Sequence, residues 1–335
     1  MSYVLQADYW LIFFLQGNGE WLTPVMKLFT WLGYPQAYMV AIAIIYWSGN
    51  RKLGLRMAIF LPVVSSLNSI LKQAIHAPRP YWLTPDIRAI HVSNGFGMPS
   101  GHAQASIVWL YAAALLKKGW FWIFAVVLVM GVGLSRVYLG MHFSSQVLAG
   151  WLLGIFIAFL FMRFESRVLC WFLSLTFRKQ LLLISGISLL LMVLGGIMVF
   201  VLKHWAMPGD WILNSADDMA GKDESILSSV GMSAVAGNVG GFLGVSLGAL
   251  LLHRKGSFDS RGSGWTRLVR SLTGLFILIV LYKVFMIAAP GQTEAFLYSL
   301  WRFLGFFTLS FFVIFLVPLL FLRFRLPGSL KRKQR

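Results

Sequence analysis

The sequence predicts an all-α fold, a polytopic membrane bundle of about nine transmembrane helices. Three observations predict it. Hydrophobic residues make up 58% of the 335 positions and charged ones only 12%, at a mean hydropathy of +0.75; a soluble chain carries roughly twice that charged fraction. Several apolar runs approach or exceed the ~20 residues that cross a bilayer core as helix. The basic residues cluster at alternate ends of successive runs, as the positive-inside rule expects: Arg51/Lys52/Arg56, Lys117/Lys118, Arg163/Arg167/Arg178/Lys179, Arg254/Lys255/Arg261/Arg267/Arg270, and Arg323 through Arg335.

Taken in order, residues 3–32 are aromatic-rich and interrupted by Gly17, Gly19 and Pro24, which predicts helices lying in the outer interface rather than another span. Crossings are expected over 35–49, 55–75, 102–117, 120–136, 143–162, 181–202, 232–252, 268–288 and 296–322. Nine crossings put the N-terminus outside and the C-terminus in the cytoplasm. The Arg- and Trp-bearing stretch 164–180 reads as a cytoplasmic interfacial helix, and 203–231 as an external solvated connector. Gly237, Gly240, Gly241, Gly244 and Gly248 recur at roughly helical spacing, the signature of close helix packing in lipid. The motifs below divide the chain into a core over 1–165 and an accessory transmembrane region over 166–335.

The net charge of +18 is a topology signal and an anionic-headgroup contact, and its placement argues against nucleic acid. All acidic residues except Glu165 and Asp259 fall on the side opposite the basic clusters. A single cysteine, Cys170, excludes an intrachain disulfide and a thiolate metal site. No basic n-region precedes an apolar stretch at the N-terminus, so no removable signal peptide is expected.

Three motifs carry chemistry: Lys72-x6-Arg79-Pro80, then Pro99-Ser100-Gly101-His102, then Ser135-Arg136-x5-His142-x3-Gln146. The predicted topology brings all three to the external ends of their helices. Arg79 and Arg136 can fork onto the oxygens of a phosphoryl group, and Lys72 adds a point charge. Ser100 and Gly101 stand where a helix begins, with unpaired N–H groups and a positive dipole end. One imidazole can attack phosphorus while a second protonates the departing oxygen. Three fixed cations stand in for a metal, so neither metal nor cofactor is expected.

On these motifs the chain resembles the type 2 phosphatidate phosphatase (PAP2) superfamily, whose pattern is K-x6-RP, PSGH and SR-x5-H-x3-D. The resemblance covers roughly residues 30–160. It implies a metal-independent, vanadate-sensitive membrane phosphatase in which His142 is the nucleophile and His102 the general acid. Lys72, Arg79, Ser100, Gly101 and Arg136 would bind the phosphate. Bacterial members of the family act on phosphatidate, phosphatidylglycerol phosphate or undecaprenyl diphosphate, with the site facing the periplasm. The resemblance therefore implies a bacterial inner-membrane enzyme whose partners are membrane lipids and a phosphorylated lipid substrate.

Gln146 departs from the pattern, which has aspartate four residues after the nucleophile and so on the same helical face. A glutamine carbonyl can still fix the imidazole tautomer, but it supplies no negative charge. The glucose-6-phosphatase branch also carries glutamine here, in an HFxxQ context like His142-Phe143-Ser144-Ser145-Gln146, and shares Arg79-Pro80-Tyr81-Trp82. A sugar phosphate is therefore the alternative substrate class. A catalytically weak phospholipid-binding protein is a third reading. A transporter lacks the expected paired half-helices.

Tyr81 and Trp82 are expected at a substrate mouth, where Tyr138 also falls, although an interfacial aromatic belt accounts for them equally. Lys283 and Arg302 lie within outer helical turns, where an unpaired charge is costly. They are candidates for lining the substrate cavity, with Glu294 a possible partner. His76 and His91 read as loop histidines.

Overall fold

A computed structural model describes residues 3–17, 19–92, 95–219, 230–256, 258–290 and 295–323, with side chains from residue 6 onward and without those of 216–219. It is all-helical among the described residues. The helices are α1 (Tyr3–Gly17), α2 (Thr23–Leu32), α3 (Pro35–Ser48), α4 (Arg51–Ile75), α5 (Pro80–Leu83), α6 (Gly101–Leu116) and α7 (Gly119–Tyr138). They continue as α8 (Ser144–Ser174), α9 (Phe177–Val201), α10 (Gly209–Met219), α11 (Ser233–Lys255), α12 (Gly264–Ile287), α13 (Ala295–Phe311) and α14 (Val317–Arg323).

Each of the nine expected crossings coincides with a helix. Seven described helices are long and apolar enough to cross a membrane, or up to eight if the helices flanking Tyr34 form one broken span. The difference from nine lies in α3 and α6, which have 14 and 16 residues. One expectation is corrected. Residues 164–174 are not a separate interfacial helix but the last turns of α8, which runs for 31 residues. No glycine or proline falls between Arg163 and Ser174 to stop it.

The chain forms two compact units. The first comprises Met1–Tyr34, Leu67–Met162 and Leu194–Gly231; the second comprises Pro35–Ser66, Arg163–Val193 and Met232–Arg335. They interleave along the sequence and are a different division from regions 1–165 and 166–335.

In the first unit α6 is the central helix, burying Ala103, Gln104, Ser106, Ile107, Val108 and Tyr111 through Ala113. It packs on α7, and α1 and α2 also lie against α7. Helix α8 approaches α6 so closely that a Cβ on Gly150 would lie 2.5 Å from the Ser100 carbonyl oxygen; only glycine fits. Helix α8 and the end of α9 expose Leu148, Leu152, Phe156, Phe159 and Phe200, the inverse of a soluble surface and the signature of contact with lipid.

In the second unit α11 and α13 run side by side. The glycine stripe makes this possible, since Cβ atoms on Gly240 and Gly244 would meet the carbonyl oxygens of Phe303 and Phe307 at 2.2 and 2.3 Å. Between α13 and α14 a π-turn spans Phe312–Leu316. Trp47 Nε1 donates to the Val313 carbonyl at 2.9 Å and Tyr46 Oη to that of Ile314 at 3.1 Å, meeting acceptors that a widened turn leaves over.

Candidate active site

All three motifs fall in the first unit. Helix α4 places Lys72 in its last turn and is stopped by His76, at φ +38°. Pro78 and Pro80 cannot extend it, because each lacks an N–H and disfavours a helical predecessor. The chain turns through extended Arg79 into the short α5. The Arg79 side chain is 3% exposed. Its Nε donates to the Gly95 carbonyl at 2.7 Å and its Nη1 to that of Met141 at 3.0 Å. The same Nη1 stands 3.3 Å from His142 Nε2. Lys72 Nζ donates to the Phe96 carbonyl.

His142 sits in the turn between α7 and α8. Its own amide (3.2 Å) and that of Met141 (3.0 Å) both bond the Arg136 carbonyl. Gly140 carries the reversal at φ +72°, a region other residues avoid. The short turn therefore ties the position of His142 to that of Arg136. Arg136 is itself buried and donates to Thr30 Oγ1.

The orientation of Gln146 follows from its neighbours. Its Nε2 donates to the Pro78 carbonyl at 2.8 Å, an acceptor only, while its Oε1 accepts from the Phe143 amide at 3.3 Å. The amide can therefore stand only one way. Oε1 then faces His142 Nδ1 at 3.1 Å, so Nδ1 carries the proton and Nε2 presents its lone pair. Burial, then Arg79, Lys72 and Arg136, push the His142 imidazolium well below the usual histidine range, against a smaller opposing effect of Gln146. The ring is neutral at neutral pH.

Ser100 caps α6 but does not offer the backbone donor expected of it. Its N–H bonds the Gln146 carbonyl at 3.0 Å, because α8 lies so near. Among the described residues its buried hydroxyl has no hydrogen-bond partner, and neither do His102 Nε2 and Arg136 Nε. Gly101 and His102 open the helix, so their amides have no intrahelical acceptor. Among the described residues Lys72 and Arg136 make no ion pair. Buried donors and uncompensated positive charge with a neutral imidazole are the arrangement expected of an anion-binding site with a nucleophile in it.

Tyr81 and Trp82 stand in α5, directly after Arg79. Both are fully buried, and Trp82 packs on Phe96 and Trp211 at ring distances of 6.3 and 5.8 Å. They belong to the apolar cluster packed beside the Arg79 turn. Asn214 Nδ2 donates to the Trp82 carbonyl at 3.1 Å, so the stretch up to Ser215 is docked on α5 and is not a solvated connector. Residues 220–229, like Glu294, lie outside the described residues. Tyr138 is also buried, its hydroxyl bonding Thr23 Oγ1 at 2.6 Å. Lys283 is exposed on α12, and Arg302 lies over the rings of Tyr298 and Phe306 at 5.9 and 5.3 Å. Both belong to the second unit. His76 packs on Trp205, and His91 Nε2 bonds Tyr34 Oη at 2.6 Å.

Sequence reasoning missed several supporting residues. Asn68 Nδ2 bonds Gln104 Oε1 at 2.6 Å and the Pro99 carbonyl at 3.2 Å, pinning the turn before His102. Tyr34 meets the His102 ring edge-on at 5.0 Å. Amides inside apolar helices were the available signal for Asn68 and Gln104.

The PAP2 superfamily profile matches residues 51–170, and a second, the transmembrane extension of PAP2 superfamily phosphatases, matches 236–332. A phosphatidylglycerophosphatase B of Bacillus subtilis is 32% identical over 163 residues, 44% of this chain and 77% of that protein. The chain belongs to the PAP2 superfamily. An undecaprenyl-diphosphatase of Sulfolobus acidocaldarius is 30% identical over 128 residues, 38% of this PAP2 chain and 62% of the relative's length. Glucose-6-phosphatase 3 of Bos taurus is 23% identical over 261 residues, 70% and 72% of the two chains. Membership classes the chain with integral-membrane PAP2-type phosphatases.

Proposed function

We propose that the chain hydrolyses phosphomonoesters of membrane lipids, such as phosphatidate or an isoprenoid diphosphate, through a phosphohistidine at the extracytoplasmic face. One observation carries the mechanism: Gln146 holds the His142 proton on Nδ1, 3.1 Å away, while Nε2 faces the Arg79 guanidinium. Nε2 attacks phosphorus as the P–O bond to the lipid breaks, and His102 donates its proton to the leaving oxygen. Water then attacks the phosphohistidine, His102 takes up the water's proton, and the P–N bond breaks to restore neutral His142. Lys72, Arg79, Arg136, the Ser100 hydroxyl and the first amides of α6 stabilise the charge on the equatorial oxygens, which is greatest in the transition state.

The lipid reading draws support from the two prokaryotic relatives, whose names specify lipid phosphates. Basic clusters at the other helix ends support a bacterial inner-membrane orientation with site and N-terminus periplasmic. Residues 1–165 would be the catalytic region and 166–335 the accessory one. A sugar-phosphate reading is favoured by Gln146 in its HFxxQ context and by the long alignment with glucose-6-phosphatase 3.

The test is phosphate release by purified protein in detergent, without added metal, from phosphatidate, lysophosphatidate, undecaprenyl diphosphate and glucose 6-phosphate. Lipid substrates should win by kcat/KM, vanadate should inhibit, and His142→Ala should abolish release. Preference for glucose 6-phosphate would select the second reading. Lipid binding without phosphate release from any substrate would refute both.

A further inference from the structure

We propose that Asp8 is a positioning residue for His142, supplying from α1 the carboxylate charge that position 146 lacks. The inference rests on His142 being the nucleophile. Asp8 is 2% exposed. Its Oδ1 accepts from the Ser144 hydroxyl and from the Ser145 amide at 3.0 Å, and its Oδ2 accepts from Ser145 Oγ at 2.5 Å. A carboxylate only accepts, and these donors occupy both of its oxygens. Among the described residues it makes no ion pair. A buried carboxylate with no cation partner is costly and is kept where its charge has a use.

Its place gives that use. Ser144 and Ser145 are the first residues of α8, immediately after His142-Phe143. Gln146 Oε1 holds the same turn from within, through the Phe143 amide and His142 Nδ1. The residue next to Asp8 adds a second attachment, since Tyr9 packs edge-on to Phe143 with ring centroids 5.2 Å apart. Two consecutive residues of α1 thus grip the three residues that follow the nucleophile. Around His142 stand Lys72, Arg79 and Arg136, all positive, and the amide at 146 is neutral. When Nε2 takes up phosphorus while Nδ1 keeps its proton, the ring gains cationic character. A negative charge at the start of α8 offsets it, and the positive end of the helix dipole favours a carboxylate there.

A plain helix cap is the competing explanation, and asparagine caps as well as aspartate. Asp8→Asn therefore removes the charge and keeps the acceptor for the Ser145 amide. Expected is a 10- to 100-fold lower kcat, the range typical of an outer partner of a reacting group, with KM within about threefold and thermal stability in detergent close to the parent. Asp8→Glu, which keeps the charge, should retain more activity than Asp8→Asn. In a Gln146→Asp background the Asp8→Asn loss should shrink to within about threefold, because the two charges substitute for each other.

Asp8→Asn within about twofold of the parent, equal losses in both backgrounds, or Glu worse than Asn would each overturn the assignment. His142→Ala separates this from the parent reading. If it is inactive and Asp8→Asn is normal, only the Asp8 role fails; if it stays active, the nucleophile assignment fails and this inference with it.

Discussion

The Arg79 guanidinium places Nη1 3.3 Å from the His142 nitrogen left without a proton, while the same group is tethered to the carbonyls of Gly95 and Met141. Three fixed acceptors thus define where one planar cation stands. Lysine offers a point charge that cannot reach both carbonyls. Arg79→Lys should lower kcat/KM by about 100-fold or more, the range seen when one oriented transition-state donor is lost. Steady-state kinetics on the preferred substrate decide it; a loss below tenfold would deny Arg79 an oriented role.

Gln146 makes contacts from both ends of its amide. Gln146→Ala strips His142 of its tautomer partner and leaves the Pro78 carbonyl and Phe143 amide unmet, so kcat should fall about 10- to 100-fold. Gln146→Asp keeps an acceptor near Nδ1 but loses the donor to Pro78, and turnover should change by less than ~10-fold with the fold intact. Turnover numbers and melting temperatures of the two variants provide the check. Complete loss in the aspartate variant would show that the Pro78 bond, not the acceptor, matters.

In the proposed mechanism only neutral His142 can attack. Burial and the neighbouring cations depress its pKa well below the usual value of 6.5, so the reactive form persists as pH falls through 6.5 and is lost only at lower pH. The acidic limb of kcat/KM should accordingly lie below 6.5. Lys72→Met removes one of the depressing charges and should move that limb to higher pH. Comparing parent and variant on one substrate cancels the titration of the phosphate itself; a shift to lower pH would contradict the electrostatic account.

Gly150 sets the spacing of α6 and α8. A methyl placed 2.5 Å from the Ser100 carbonyl oxygen must push the two helices apart, at a cost typical of overpacking, about 1–3 kcal/mol. Gly150→Ala should lower the melting temperature and also reduce kcat, because the Ser100–Gln146 backbone bond spans the same contact. Unchanged stability and activity would show that the helices accommodate the methyl.

The sequence by itself determined the helical membrane class, where the long helices fall and the three motifs of the family. Hydropathy and charge report how each segment partitions between lipid and water, and that property is local. The motif spacings are local too: four residues from His142 to Gln146 is one helical turn, and the prolines at 78 and 80 end a helix wherever they occur. Only the tertiary structure decided how Gln146 stands, that the Ser100 amide is taken, that Trp82 lies in the core, and that Asp8 reaches Ser145 from 137 residues away. Those outcomes depend on contacts between distant segments, whose partners leave no period in the sequence. An aspartate in an aromatic N-terminal helix looks like a solvated charge until the fold brings the start of α8 against it.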